Sequence, residues 1–238
     1  MATAVITGGA GGMGLATAKI MGRDHRIVVA DVRQERVDAA DAAGVSPQTG
    51  SAELILRINA VGTIHVTRTF LETAAAGDAL VNVASIAGHM RPAALEPRRT
   101  YRLAHTDVAK FEQKLTRSAN RLPKKLRPGA AYGVSKAFVI WYTREIAAEF
   151  GKKGARAVSV SAGSFDTAMG RLEEKSGAGK MLEFAALKRF GTPDEIAEVL
   201  AFCAGDKPGY LTGTDILVDG GTRAGLDRKG MIAMARGV

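Results

Sequence analysis

Apolar and polar positions alternate between two periods along this chain. "TAVITGG" is a short β-branched run that ends in glycines, and "GLATAKIMG" follows with the spacing of a helix. "RIVVAD" is a second apolar run, ending in an acid. Strand, turn, helix and strand in that order predict the opening of a parallel α/β fold. "LILRINAVGTIHVTRTFLETAAA" then reads as one long helix and "ALVNVAS" as a strand. "AAYGVSKAFVIWYTREIAAEF" carries an apolar helical stripe, and "ARAVSVSAG" is another strand. "TPDEIAEVLAFCAG" opens with a threonine cap, a proline at the first helical position and acids in the first turn, all helix-start signals. "GTDILVDGG" reads as a last strand. There is no internal repeat and no low-complexity linker.

Composition narrows the class. The chain has 238 residues, 46% hydrophobic and 24% charged, which suits one soluble α/β domain over residues 1–238. No apolar run is long enough to span a bilayer and no secretory signal pattern opens the chain, so the expected location is the cytoplasm. One cysteine, Cys203, excludes an internal disulfide, and its apolar setting in "VLAFCAG" predicts a buried thiol. His25, His65, His89 and His105 have no metal-ligand spacing, so no metal site is expected. The net charge of +9 is localised. Residues 90–129 hold eleven Lys or Arg and three Asp or Glu, a balance of +8, which leaves +1 for the remainder.

The glycine-rich stretch "TGGAGGMG", Thr7 to Gly14, lies between the first strand and first helix. Glycines there let the backbone turn tightly and approach a pyrophosphate, whose charge sits at the helix N-terminus. Asp31 ends the second strand, 17 residues after Gly14. A carboxylate at that point accepts the ribose hydroxyls of NAD and repels the extra phosphate of NADP. Tyr132 and Lys136 stand one helical turn apart in "AAYGVSKAFVIWY". On its own this pair reads first as a core-edge tyrosine beside a snorkelling lysine.

Taken together, these residues resemble the short-chain dehydrogenase/reductase family over nearly the whole chain, in particular hydroxysteroid dehydrogenase/carbonyl reductase members that carry extra helices before the tyrosine. The TGxxxGxG pattern is met by Thr7, Gly8, Gly12 and Gly14, with Met13 inside it, and YxxxK by Tyr132 and Lys136. The strand-end serine is met by Ser85 in "VNVASIAG" and the helix-borne asparagine by Asn59 in "LRINAVG". The motif after the next strand, usually PGxxxT, appears as Ala162, Gly163 and Thr167, and Ala43 and Gly44 in "AAGVSP" match the tail of the NNAG element. The resemblance implies a Rossmann-like, doubly wound parallel sheet. It also implies an NAD(H)-dependent enzyme that interconverts a secondary alcohol and a ketone, with a small-molecule substrate of apolar or alicyclic, steroid-like character. A homodimer or homotetramer is the expected assembly. The catalytic set would be Asn59, Ser85, Tyr132 and Lys136. The cofactor set would be Thr7, Gly8, Gly12, Met13, Gly14, Asp31, Ala43, Gly44, Lys136, Gly163 and Thr167. Free tyrosine titrates near 10, and an ammonium about 4 Å away in a partly buried site favours phenolate by roughly 4 kcal/mol, about three pKa units. Tyr132 would then exchange a proton with the substrate oxygen, Ser85 would hydrogen-bond that oxygen, Lys136 would hold the nicotinamide ribose, Asn59 would anchor a water in a proton relay, and Thr167 would contact the nicotinamide end. The other reading is a non-catalytic binding protein that keeps the fold but has an impaired cofactor site.

Two departures stand out. Only ten residues, Val32 to Asp41, separate Asp31 from "AAGVSP", where two helices and two strands would need roughly 45. One of those strands should lie beside the first, inside the sheet. Either the adenine side is built on a shortened connection, or the natural chain has a segment there that this sequence omits; omission is the favoured expectation. Conversely, Ser85 and Tyr132 are 47 residues apart, far more than the family pattern. The excess is the basic segment 90–129. Its stretch "TDVAKFEQKLTRSANRLP" predicts a helix with Val108, Phe111, Leu115 and Leu122 on one stripe, rimming the substrate pocket or making a subunit contact. Its charge with little aromatic interleaving does not favour nucleic acid. Residues 164–190 read as a substrate lid with Gly177 and Gly179 as hinges and Met169, Leu172, Met181 and Phe184 as apolar lining or core.

Overall fold

In the computed structural model, residues 2–7, 12–30, 46–48, 50–167, 170 and 178–226 are described. Strand β1, Ala2–Thr7, leads to helix α1, Gly12–Met21, and strand β2, His25–Ala30. Helix α2, Ala52–Leu56, runs through a π-helical turn, Arg57–Val61, into α3, Gly62–Thr73. Strand β3 is Ala79–Ser85. Two short helical turns and α4, Arg98–Tyr101, precede α5, Val108–Asn120, and the long α6, Arg127–Lys152. Strand β4, Arg156–Ala162, helix α7, Pro193–Ala204, strand β5, Asp215–Val218, and α8, Thr222–Gly225, complete the order.

Among the described residues all strand pairings are parallel, as the alternation of strand and helix predicts. Strand β1 pairs with β2, and β3, β4 and β5 form a second sheet in that order. Helix α6 packs on β3 and β4 and against α2, while α1 packs against α7, which also meets β3 and β4. The layered parallel sheet is therefore the expected Rossmann-like architecture. Among the described residues no strand joins the two pieces. Val5 is 60% exposed, unusual for a strand of a parallel sheet, which is normally covered on both faces.

Strand β4 is buried along its whole length, and its arginine has a local explanation. Arg156 donates to the carbonyls of Cys203 (3.0 Å), Leu211 (3.4 Å) and Gly205. Its guanidinium thereby satisfies carbonyls at the C-terminus of α7, which have no partner inside the helix. Thr192 caps the other end of α7, with Glu195 completing a reciprocal capping box. Cys203 is buried as expected, and burial raises its thiol pKa.

The basic segment folds back on its own chain. Helix α5 buries Phe111, Leu115 and Ala119 against α2 and α6, and Arg57 pairs with Glu112 at 2.9 Å. The observed stripe therefore ends in Ala119. Leu122 lies beyond the helix and is exposed. An aromatic core forms where α4, α5 and α6 meet. The Phe138 ring lies 4.6 Å from Phe111, 5.3 Å from Tyr101 and 5.2 Å from Tyr142, and all four side chains are fully buried. The inserted basic segment thus presents its charges to solvent and its aromatics to α6.

Candidate active site

Helix α6 passes the carboxyl end of β3, and this crossing brings Ser85, Tyr132 and Lys136 into one neighbourhood. Ser85 is the last residue of β3 and is buried. Its Oγ accepts the N–H of Ala87 at 3.2 Å, capping a tight 3-10 turn, Ile86–His89. Gly88 then lies directly on α6. A Cβ there would sit 2.9 Å from the Ala137 nitrogen and 2.9 Å from the Lys136 carbonyl carbon. From the helix side, a Cβ on Gly133 would be 3.6 Å from the Ala87 carbonyl oxygen. The neighbours of Ser85 in sequence are therefore the spatial neighbours of Tyr132 and Lys136.

Lys136 donates from Nζ to the carbonyl oxygen of Val83 at 3.1 Å, two residues before Ser85. The same ammonium stands 5.7 Å from the centroid of the Tyr132 ring, within the range of a cation–π contact. Tyr132 is half-buried and leans on the aromatic core, and its carbonyl accepts the Ser135 hydroxyl at 2.8 Å. The helical spacing of tyrosine and lysine thus yields a phenol with its ring on apolar packing and a cation beside it.

Asn59 occupies the middle of the π-helical turn and is buried. The sequence reading expected an uninterrupted helix here. Instead the Gly62 N–H bonds to the Arg57 carbonyl, an i to i+5 bond, and the Asn59 carbonyl accepts the Thr63 hydroxyl at 2.8 Å. Wide turns of this kind occur frequently at functional sites. The π turn packs on α6. No hydropathy pattern announces it, because the apolar stripe runs through it unchanged.

The cofactor side is assembled in part. Thr7 ends β1, paired in register with Ala30. Gly12 has φ +49°, and a Cβ on it would stand 3.6 Å from the Thr167 methyl. The glycine turn and the threonine after β4 are therefore neighbours, as the cofactor reading requires. Met13 packs against the core formed by β4 and α7, and its carbonyl accepts the Thr17 hydroxyl at 2.8 Å. Gly14 is half-buried in the first turn of α1. Gly163 presses on the chain beyond β5, where a Cβ would fall 2.6 Å from the Asp219 Cα. Gly8, Asp31, Ala43 and Gly44 lie outside the described residues, as do Met169, Leu172 and Gly177 of the expected lid. Met181 and Phe184 are half-buried. Beyond them, the Leu187 N–H donates to the Gly220 carbonyl at 2.9 Å, bringing this segment to the turn after β5.

One polar cluster beside the site escaped sequence reasoning. His89 Nε2 lies 2.9 Å from Asp215 Oδ2 and 3.1 Å from Ser161 Oγ. Ser159 and Ser161 both donate to Asp215 Oδ1, at 2.5 and 3.0 Å. The signal was available: serines at alternate positions of the apolar run "VSVSA", opposite an aspartate that opens the last strand, imply polar partners on one sheet face.

Comparison with known proteins bears on the whole arrangement. A short-chain dehydrogenase/reductase of Alternaria brassicicola, bsc3, is 32% identical over 192 residues, covering 79% of this chain and 68% of that protein. The chain belongs to the short-chain dehydrogenase/reductase family. A family model described as enoyl-(acyl carrier protein) reductase matches residues 115–223. The 3-oxoacyl-[acyl-carrier-protein] reductase MabA of Mycobacterium bovis is 43% identical over 97 residues, 40% of this chain and 39% of MabA. Among solved structures, the 3-alpha-hydroxysteroid dehydrogenase from Pseudomonas sp. B-0831, complexed with NADH, superimposes with a TM-score of 0.74 at 24% identity, covering 98% of both chains. That likeness is one of fold. No helix among the described residues is long and apolar enough to cross a membrane.

Proposed function

We propose that this chain is an NAD(H)-dependent oxidoreductase that interconverts a secondary alcohol and a ketone on an apolar or alicyclic small molecule. The observation that carries the reading is the crossing of α6 over the end of β3, with Lys136 bonded to the Val83 carbonyl and the Ser85 turn pressed on the helix beside Tyr132. The nicotinamide cofactor, when bound, supplies or accepts the hydride. The left-handed Gly12 against Thr167 fits a dinucleotide at that end, because the bare backbone leaves room that a side chain would fill.

In the reductive direction Tyr132 Oη gives a proton to the substrate oxygen as that oxygen gains charge, and in the oxidative direction it takes the proton back. Ser85 receives the Ala87 N–H on its Oγ, which leaves its own hydroxyl proton to donate to the substrate oxygen. Lys136, tethered to β3, keeps a positive charge beside the phenol and holds the nicotinamide ribose. Asn59, in its π turn, anchors the water that returns the proton to solvent. Thr167 contacts the nicotinamide end, and Gly163 lets the chain after β4 approach it. Asp31 selects NAD over NADP by accepting the ribose hydroxyls. Residues 164–190 cover the substrate, and the enzyme works as a homodimer or homotetramer in the cytoplasm.

The test has two stages. Quenching of protein fluorescence on titration with NADH reports cofactor binding. A screen with acetoacetyl-CoA, a 3-oxosteroid and simple cyclic ketones then reports turnover as NADH oxidation. The proposal expects saturable NADH binding, turnover of at least one ketone, and a kcat/KM with NADH at least tenfold above that with NADPH, narrowed by Asp31→Ala. Absence of saturable NADH binding would favour the non-catalytic reading with its impaired cofactor site. The separation of β1–β2 from the remaining sheet among the described residues and the exposure of Val5 give that second reading its support.

A further inference from the structure

We propose that His89, held on the buried Asp215, is a positioning residue for Ser85. This rests on the reading of Ser85 as the donor to the substrate oxygen. The two residues bound a single 3-10 turn: Ser85 caps its start and His89 is its last residue. The turn is fixed from two sides. Gly88 sits on the α6 backbone, and the His89 ring crosses to strands β4 and β5.

The chemistry of that crossing is specific. The Asp215 side chain is 1% exposed, and a carboxylate at such depth requires donors on both oxygens. Oδ1 takes the hydroxyl protons of Ser159 and Ser161. Oδ2 lies 2.9 Å from His89 Nε2. The ring therefore carries its proton on Nε2, donating to Oδ2 and, at 3.1 Å, sharing it with Ser161 Oγ. A charge-assisted bond of this kind is about twice as strong as a neutral one and directional. It ties the end of the Ser85 turn to the first residue of β5.

Without the ring, the turn loses its tie to β5 while keeping the Gly88 contact and buried Ile86, and the Ala87 N–H that sets the Ser85 hydroxyl is freer to move. A displacement of about 1 Å at such a donor costs on the order of a hundredfold in rate. Glutamine at 89 restores the donor, because its amide nitrogen extends about as far from the backbone as imidazole Nε2.

The experiment compares wild type with His89→Ala, His89→Gln, Ser85→Ala and the double variant Ser85→Ala/His89→Ala. Amide hydrogen exchange at Ala87 is read by NMR, and turnover of acetoacetyl-CoA and a 3-oxosteroid is read by NADH oxidation well below the melting temperature. His89→Ala is expected to speed Ala87 exchange at least tenfold and to lower kcat ten- to a hundredfold with the Kd for NADH within twofold. His89→Gln should recover both to within about threefold. In the Ser85→Ala background the His89→Ala change should have no further effect on kcat. The proposal is overturned if Ala87 exchange stays within twofold in His89→Ala, if His89→Gln is as impaired as the alanine variant, or if the effects of the two alanine changes multiply. Should His89→Ala not fold, exchange and turnover in His89→Gln against His89→Leu decide on the same criteria. Should Ser85→Ala keep wild-type turnover, the catalytic reading of Ser85 fails, and Ala87 exchange still reports whether His89 holds the turn.

Discussion

Replacing Gly88 by alanine strains the contact on which the site is built. The new methyl would lie 2.9 Å from the Ala137 nitrogen, the Lys136 carbonyl carbon and Ile140 Cδ1. Ordinary contact between such atoms is about 3.5–4.0 Å, so the turn and the helix must separate by roughly 0.6–1.1 Å. Ile140 can swing its terminal methyl, but two of the three obstacles are backbone of a helix buried at Ala137 and Phe138. The shift therefore falls on the turn that carries Ser85. Overpacking of this kind costs about 1–3 kcal/mol, and in a chain of this size each kcal/mol lowers Tm by about 2–4 °C. The same shift should lower kcat by on the order of a hundredfold. Gly133→Ala is the matched control on the facing surface. Its methyl would meet only the Ala87 oxygen, at 3.6 Å, and alanine within a helix gains about 1 kcal/mol over glycine. Calorimetry should place Gly88→Ala roughly 2–12 °C below wild type and Gly133→Ala at or above it. Equal melting temperatures for both variants, with kcat of Gly88→Ala within twofold of wild type, would refute the close-approach reasoning.

Phe138→Ala should empty the aromatic core between α4, α5 and α6 and cost about 3–5 kcal/mol, read as a fall in Tm of roughly 6–20 °C. Glu195 is held at a pKa of about 2, below its ordinary 4.5, chiefly by the Arg189 side chain and then by the Thr192 backbone N–H. Its folded pKa is depressed, so its contribution is present above about pH 4.5 and is lost as pH falls toward 2. The Tm gap between wild type and Glu195→Gln should accordingly be widest near neutrality and close between pH 5 and pH 2; a constant gap would exclude the ion pair as its source. Intact mass spectrometry of the protein from its natural source should exceed 24.9 kDa by several kilodaltons, with the excess mapping between Asp31 and Gly44, if the natural chain has an inner strand there; equality would require a shortened adenine side.

Much of the fold was legible because its strands and helices announce themselves by period. The cap at Thr192, the stripe through Phe111 and Leu115, and the serine closing "ALVNVAS" all lie where the pattern places them. Local chemistry also located the pair on α6, since a tyrosine and lysine four residues apart must share a helix face. Three features were not legible. The π turn at Asn59 depends on a hydrogen-bond register that leaves hydropathy untouched. The serines of "VSVSA" and the aspartate opening the last strand signal polar partners on one sheet face, but their junction with His89, 72 positions from Ser161 and 126 from Asp215, is encoded by no local pattern. The inward turn of the basic helix is set by the aromatic residues of α6, whereas its charge is the more conspicuous feature in sequence. Among the described residues the strands form two sheets, β1–β2 and β3–β4–β5, and the connection after Asp31, short in sequence, lies outside those residues.

The central claim is that Tyr132 exchanges the proton while the cofactor carries the hydride. Tyr132→Phe removes one oxygen and leaves the ring on its apolar packing beside Lys136. Steady-state NADH oxidation with the ketone that wild type turns over, paired with fluorescence titration of NADH, isolates that oxygen. The account predicts a fall in kcat of about 10²–10⁴-fold, the usual worth of positioned proton transfer, with the Kd for NADH within twofold of wild type. A variant that keeps more than a tenth of wild-type kcat, or one that loses NADH binding in step with turnover, would contradict it.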